Sequence, residues 1–270
     1  MSSEITQVGK GLASSDAATT WIPLWTPLVY EPDPITARTY AGGAIASWGG
    51  ALYFGTMQVP GTGALVASAP SCTNTNYCYG QPTNQLQYAD LFINTYRAIS
   101  IWRIDNPTGS PITNLLYGED SLPKYNGNQQ FVNTSTGWTP IFGLRGFGNP
   151  YNNYTWQAAV YNNRLYFGTM DWRYLLDTDV ANSIFQMPGI PKLPIISAPF
   201  PLGVNNYLKG YGADLWRFDM PNHPAMPENT RGLGNYLNYG IRALLTSSDG
   251  KTLFAGTANP MNLEAKGGGS

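Results

Sequence analysis

Histidine is almost missing from this chain. His223 stands alone among 270 residues, so neither a histidine-based metal site nor a Ser-His-Asp triad is easily assembled. Charge is scarce too, with Asp, Glu, Lys and Arg making up 11% of the sequence against about 25% in an average soluble domain. The 15 basic and 16 acidic residues leave a net charge of −1. Without a basic excess to neutralise phosphates, the composition argues against nucleic acid as the main partner. Long apolar runs are absent as well. The uncharged stretch from Thr39 to Ala89 is broken by Gly, Pro and polar residues, which rules it out as a membrane span. No signal-peptide pattern opens the chain.

Cysteine is limited to Cys72 and Cys78, separated by Thr-Asn-Thr-Asn-Tyr. No other soft ligand lies nearby, so a structural disulfide is expected rather than a redox or metal pair. Such a bond favours an extracellular, cell-surface or periplasmic setting. What is abundant points the same way. The sequence holds 30 Gly, 21 Pro and 18 Tyr, with 43% apolar residues overall. Many turn formers and aromatics with few helix formers describe an all-β, loop-rich protein.

Internal repetition sharpens this reading. Leu52-Tyr-Phe-Gly-Thr-Met57 returns as Leu165-Tyr-Phe-Gly-Thr-Met170 and, more loosely, as Leu253-Phe-Ala-Gly-Thr-Ala258. Each copy follows a strand-like run and a turn dipeptide: Gly49-Gly50, Asn162-Asn163 or Asp249-Gly250. These dipeptides favour positive φ, so each unit is expected to be a β-hairpin. A second motif keeps register with the first, as Ile101-Trp-Arg-Ile-Asp105 matches Leu215-Trp-Arg-Phe-Asp219. Arg145-Gly-Phe-Gly-Asn149 and Arg231-Gly-Leu-Gly-Asn235 form a third pair. Ile112–Tyr117 is expected to add an outer fourth strand.

The stretches Gly146-Phe-Gly-Asn-Pro150, Tyr154-Thr-Trp156 and Arg164-Leu-Tyr-Phe-Gly-Thr169 resemble blades of bacterial secreted β-propellers with Leu-Tyr-x-Gly-Thr strands. Ser247–Phe254 is similar to the Asp-Gly hairpins of YVTN-type propellers. The resemblance spans about residues 40–263 and implies four-stranded antiparallel blades. It implies no particular activity, because propellers host many. Only about two and a half units are readable, whereas rings close with about four to eight blades. The expectation is therefore an incomplete ring, either a fragment or one completed by cryptic units, by another copy or by partner chains. Units are expected over about 40–120, 145–221 and 232–263, after an N-terminal extension or edge strand (1–39) and before a linker-like tail (264–270).

Functional candidates are few. Two Pro-rich apolar insertions follow the repeated hairpins, and on a propeller they would leave the same face. Val59, Leu65 and Val66 in the first, with Leu193, Ile195, Ile196, Phe200 and Leu202 in the second, are the expected partner-binding residues. The competing reading has the insertions pack on each other. Arg103, Arg217, Arg145 and Arg231 recur in equivalent places, which favours structural ion pairs over an anion site. Asp105 and Asp219 offer Arg103 and Arg217 their partners. Asn149 and Asn235, flanked by glycines, are expected in left-handed turns. Glu119-Asp120 and Asp177-Thr-Asp179 are carboxylate pairs with nothing to set them across a cleft. Asp177 and Asp179 offer oxygens to Ca²⁺ without the full pattern of a calcium loop, so no cofactor is expected. Asn133-Thr-Ser and Asn153-Tyr-Thr match the glycosylation pattern. The leading expectation is a non-enzymatic extracellular module that binds or assembles with proteins, or self-associates, through its apolar insertions. The alternative is a carbohydrate-binding or glycan-cleaving protein that uses exposed Tyr and Trp with a carboxylate.

Overall fold

A computed structural model describes residues 5–8, 21–176 and 211–259. At the N-terminus β1 (Ile5–Val8) pairs antiparallel with β2 (Trp21–Trp25), apart from the main sheet. The first meander runs through β3 (Tyr40–Trp48), β4 (Ala51–Gln58), β5 (Ile101–Asp105) and β6 (Ile112–Gly118), all antiparallel. Two short helices, α1 (Thr62–Ala67) and α2 (Gln85–Thr95), fill the insertion between β4 and β5. After β6 come the separate hairpin β7 (Ser121–Tyr125) and β8 (Phe131–Ser135), then β9 (Gly143–Leu144), which lies parallel to β6. The second meander is β10 (Asn152–Tyr161), β11 (Arg164–Asp171), β12 (Leu215–Phe218) and β13 (Met226–Asn229). A last hairpin joins β14 (Gly240–Thr246) to β15 (Leu253–Ala258).

The hairpins form where turn chemistry places them. Gly49, Gly50, Asn162 and Asn163 all take positive φ, the backbone of a two-residue turn whose twist suits the flanking strands. The third hairpin turns through a longer loop, with Gly250 at positive φ and Ser247 N donating to Thr252 O at 2.8 Å. The two Leu-Tyr-Phe-Gly-Thr strands take the same register. Tyr53 lies opposite Arg103 and Phe54 opposite Trp102, while Tyr166 lies opposite Arg217 and Phe167 opposite Trp216. Their side chains are buried on both faces, which explains the near-continuous apolar run in each.

The expected propeller of separate blades is not what these strands build. They belong to one large, curled, mixed sheet of half-barrel form, with an eight-strand path β13-β12-β11-β10-β4-β5-β6-β9. β10 bridges β4 at Tyr154 and Met57, which makes the two meanders continuous, and β14 bridges β11 at Met170 and Gly240. Small residues at the seams allow this approach. A Cβ on Gly55 would stand 2.3 Å from Thr155 Cγ2, and one on Gly240 would stand 2.0 Å from the Trp156 ring. Thr155 Oγ1 uses the space to donate to Thr56 O at 3.1 Å. Sequence repetition conveys the hairpins and their register, but the seams depend on contacts between residues far apart in the chain.

Aromatic packing dominates the interior. Tyr53, Tyr117, Phe147, Phe167 and Phe218 fill one cluster, and Trp25, Tyr30, Phe54 and Trp102 fill another. The first insertion has its own core, in which Ala64, Ala67, Leu91 and Phe92 meet Tyr125, Tyr151 and Trp172. Asn84 caps α2 by accepting from Gln87 N at 3.0 Å. The Cys72–Cys78 disulfide forms between the two helices, at a sequence separation of 6. Closing so small a loop stabilises by about 2 kcal/mol through the unfolded chain. Cys72→Ser/Cys78→Ser is therefore expected to lose that amount in urea unfolding. An unchanged midpoint would show that the ring restricts nothing in the unfolded chain.

Candidate functional site

Gly146, Phe147 and Gly148 all take positive φ and carry the chain through one left-handed turn into β10. Gly232, Leu233 and Gly234 repeat the turn before β14. Asn149 and Asn235, expected in that conformation, are extended instead. The glycines on either side tolerate positive φ at no steric cost, the left-handed turn carries Phe147 or Leu233 with them, and the asparagines follow it. The first of these turns sets Asn149 beside the end of β11 and the residue preceding β12.

A cavity of about 590 Å³ opens there, lined by Phe147–Tyr151, Arg173, Asp214, Trp216 and Thr230. Asp214 is its buried acid, 2% exposed. Its Oδ2 accepts from Asn152 Nδ2 at 2.6 Å and from the Trp216 indole at 3.4 Å. Asp171, fully buried, ends β11, and both its oxygens accept from Arg173 Nε at 2.9 Å. Asn149 Nδ2 donates to Asp171 Oδ2 at 3.3 Å. The Arg173 guanidinium lies 4.9 Å from the Tyr151 ring centroid, and Phe147 stacks on Trp216 at 4.7 Å. Burial pushes the Asp214 carboxyl up to about 6; the Asp171 charge adds to the rise, while hydrogen bonds from Asn152, Trp216 and Asn149 oppose it.

The first meander supplies an internal comparison. In register, Thr56, Gln58, Ser100 and Trp102 occupy the places of Thr169, Asp171, Asp214 and Trp216. The backbone bonds are alike. Ser100 N donates to Thr56 Oγ1 at 2.8 Å, and Asp214 N donates to Thr169 Oγ1 at 2.9 Å. Ser100 Oγ accepts from the Trp102 indole at 2.8 Å, so a neutral hydroxyl is enough to hold the tryptophan. Two neutral side chains in the first meander are thus two carboxylates in the second. The surroundings differ as well. Trp102 is enclosed by Trp25, Tyr30, Phe54 and Trp138, whereas the space beside Trp216 is the cavity.

Of the expected partner-binding residues, Val59, Leu65 and Val66 are exposed on the first insertion. Leu65 borders a second cavity of about 580 Å³ with Pro70, Pro82 and Tyr88. Leu193, Ile195, Ile196, Phe200 and Leu202 lie outside the described residues, as do Asp177 and Asp179. Three of the four recurrent arginines are paired, Arg103 with Asp105 at 3.0 Å, Arg217 with Asp219 at 2.7 Å and Arg145 with Glu119 at 3.2 Å, whereas Arg231 is exposed. His223 is exposed. Asn153 is buried and its Nδ2 donates to Gln58 O at 3.1 Å, which removes it as a glycosylation site; Asn133 is exposed. Asp214 and Asp171 had gone unnoticed in the sequence. Aligning the two units column by column would have exposed the change from Ser100 and Gln58. Among the described residues no cluster of three or more His, Cys, Asp or Glu is placed to hold a metal, and no helix is long and apolar enough to cross a membrane. No protein-family model, curated protein or solved structure matches the chain.

Proposed function

We propose that the chain is a binding module for polyhydroxylated ligands, sugars above all, seated in the Asp214 cavity. The observation that carries this reading is the contrast between the two meanders: aromatic filling around Ser100 in one, a hollow with a carboxylate in the other. Binding sites of this size combine an apolar wall with a few convergent polar groups. Here Phe147, Tyr151 and Trp216 supply the wall, Asp214 an acceptor for sugar hydroxyls, and Arg173 and Asn149 donors. Binding without cleavage fits the carboxylates. Glycoside hydrolysis uses two of them across the bond, and Asp171 is engaged by Arg173 and Asn149. The disulfide supports a place outside the cytosol.

A glycan array, followed by titration of any hit, tests the proposal. Asp214→Ser reproduces the Ser100 arrangement and keeps a partner for the Trp216 indole. It is expected to weaken binding by roughly 10- to 100-fold, the worth of a hydrogen bond to a charged group. An array without a hit, or an Asp214→Ser protein that binds as well as wild type, would overturn it.

A further inference from the structure

We propose that the outer edge of β15 accepts an antiparallel strand with the pattern Ile/Leu-Trp-Arg-Φ-Asp, supplied from outside the described residues. Among the described residues β15 pairs with β14 alone. Its sequence, Leu253-Phe-Ala-Gly-Thr257, is the third copy of the β4 and β11 motif. β14 stands to β15 as β3 stands to β4 and β10 to β11, since Leu245 faces Phe254 where Ala46 faces Tyr53 and Ala159 faces Tyr166. In both earlier copies the other edge is occupied, by β5 and by β12.

Exposure marks what is missing. Tyr53 and Tyr166 are buried at 0% and 7%, but Phe254 in the same place is 58% exposed. Thr56 and Thr169 are buried, and Thr257 is exposed. The backbone bonds define what Thr257 offers. Thr56 N donates to Ser100 O at 3.0 Å and Thr169 N donates to Asp214 O at 3.0 Å. Each threonine hydroxyl also accepts from the N–H of that same partner residue. By register, Thr257 presents an outward N–H and a hydroxyl acceptor to one residue of an incoming strand, two places before its tryptophan. That tryptophan would lie across from Ala255, where a small residue replaces Phe54 and Phe167. The following arginine would lie over the exposed Phe254 ring, a favourable cation–π placement.

Nothing on β15 discourages pairing, because it has no charge, no proline and no bulge-forming excess at its outer edge. This chain has two Trp-Arg-Φ-Asp segments, 102–105 and 216–219, and both already lie between neighbours, β5 between β4 and β6 and β12 between β11 and β13. A second copy would have to unfold to donate either one. Strand addition of this kind draws affinity from main-chain bonds and specificity from alternate side chains.

The probe is a labelled peptide with the sequence of residues 213–221, titrated into the full chain and followed by fluorescence anisotropy. Saturable one-to-one binding is expected. A peptide with Trp216→Ala and Arg217→Ala should bind about tenfold more weakly or worse. Thr257→Pro in the protein removes the outward N–H while leaving the β14 pairing in place, and is expected to abolish binding. Thr257→Val, which keeps the strand shape and loses only the hydroxyl acceptor, should weaken it several-fold, by about the worth of one hydrogen bond. No binding of the parent peptide, or equal binding by the altered peptide or by Thr257→Val, would overturn the proposal. So would a dimer of the chain alone that Thr257→Pro dissociates, since a second copy would then hold the edge.

Discussion

Arg97→Met is expected to cost the protein about 3–5 kcal/mol, the loss seen when one partner of a buried ion pair is removed. Arg97 Nε meets Glu31 Oε2 at 2.7 Å, with the side chains 2% and 0% exposed. The pair is closed on all sides. Arg97 also donates to Asn94 O at 2.6 Å and Pro123 O at 2.8 Å, and Glu31 accepts from Tyr40 Oη at 2.7 Å and Asp33 N at 3.0 Å. These bonds tie the segment before β3 to the end of α2 and to β7. Methionine fills much of the volume but leaves the Glu31 charge without a cation. Urea unfolding of Arg97→Met, of Glu31→Gln and of the double variant forms a cycle. The double variant is expected to lose less than the sum of the singles, because neither then strands a charge. A single-variant loss under about 1 kcal/mol would mean that water reaches the pair.

Arg97 also shows where the sequence runs out. Nothing in Tyr96-Arg97-Ala98 marks it as different from an exposed arginine, and its partner lies 66 positions earlier. In a chain with so little charge, a buried pair is visible only once β4, α2 and β7 are in place. Local features were far more legible. Gly49-Gly50 and Asn162-Asn163 announce their turns because positive φ is a property of those residues. Cys72 and Cys78 announce their bond because they lie close together with no other soft ligand nearby. Ile112–Tyr117 was expected to pair beside β5 and does so as part of β6. The helix α1 is hard to see in the sequence, since Gly63 and a short stretch rich in Ala and Val give little periodicity. The overall closure was misjudged for a different reason. A repeated motif conveys the contacts within a unit, but the seam between units is set here by Thr155 against Gly55 and by Trp156 against Gly240. The candidate site is a departure from the repeat, whereas the sequence had been read for what the copies share.

That departure has a thermodynamic signature at Asp214. Its folded carboxyl titrates near 6 because burial disfavours the charge, whereas the unfolded carboxyl titrates near 3.9. Between those values the folded chain holds a proton that the unfolded chain has released. Stability therefore falls as pH rises through this window, and the loss is complete above the folded value. The difference of about two units corresponds to roughly 3 kcal/mol. Arg173 and Asn149 donate to the neighbouring Asp171, and Asn152 and Trp216 donate to Asp214 itself. Asp214→Asn keeps the shape and the acceptor oxygen while removing the titration. The stability of Asp214→Asn relative to wild type is thus expected to rise by roughly 2.4 kcal/mol between pH 4 and pH 8, measured by urea unfolding at a series of pH values. Taking the difference cancels carboxylates remote from the site, such as Asp219, held low by Arg217, and Asp249, held low by Ser247. A difference that stays constant with pH would show a normally titrating carboxyl and a cavity open to water. The predicted slope would show a charge retained against its own folding cost. Ser100 holds the Trp102 indole without a charge, so the charge at Asp214 is the feature that the proposed ligand site would use.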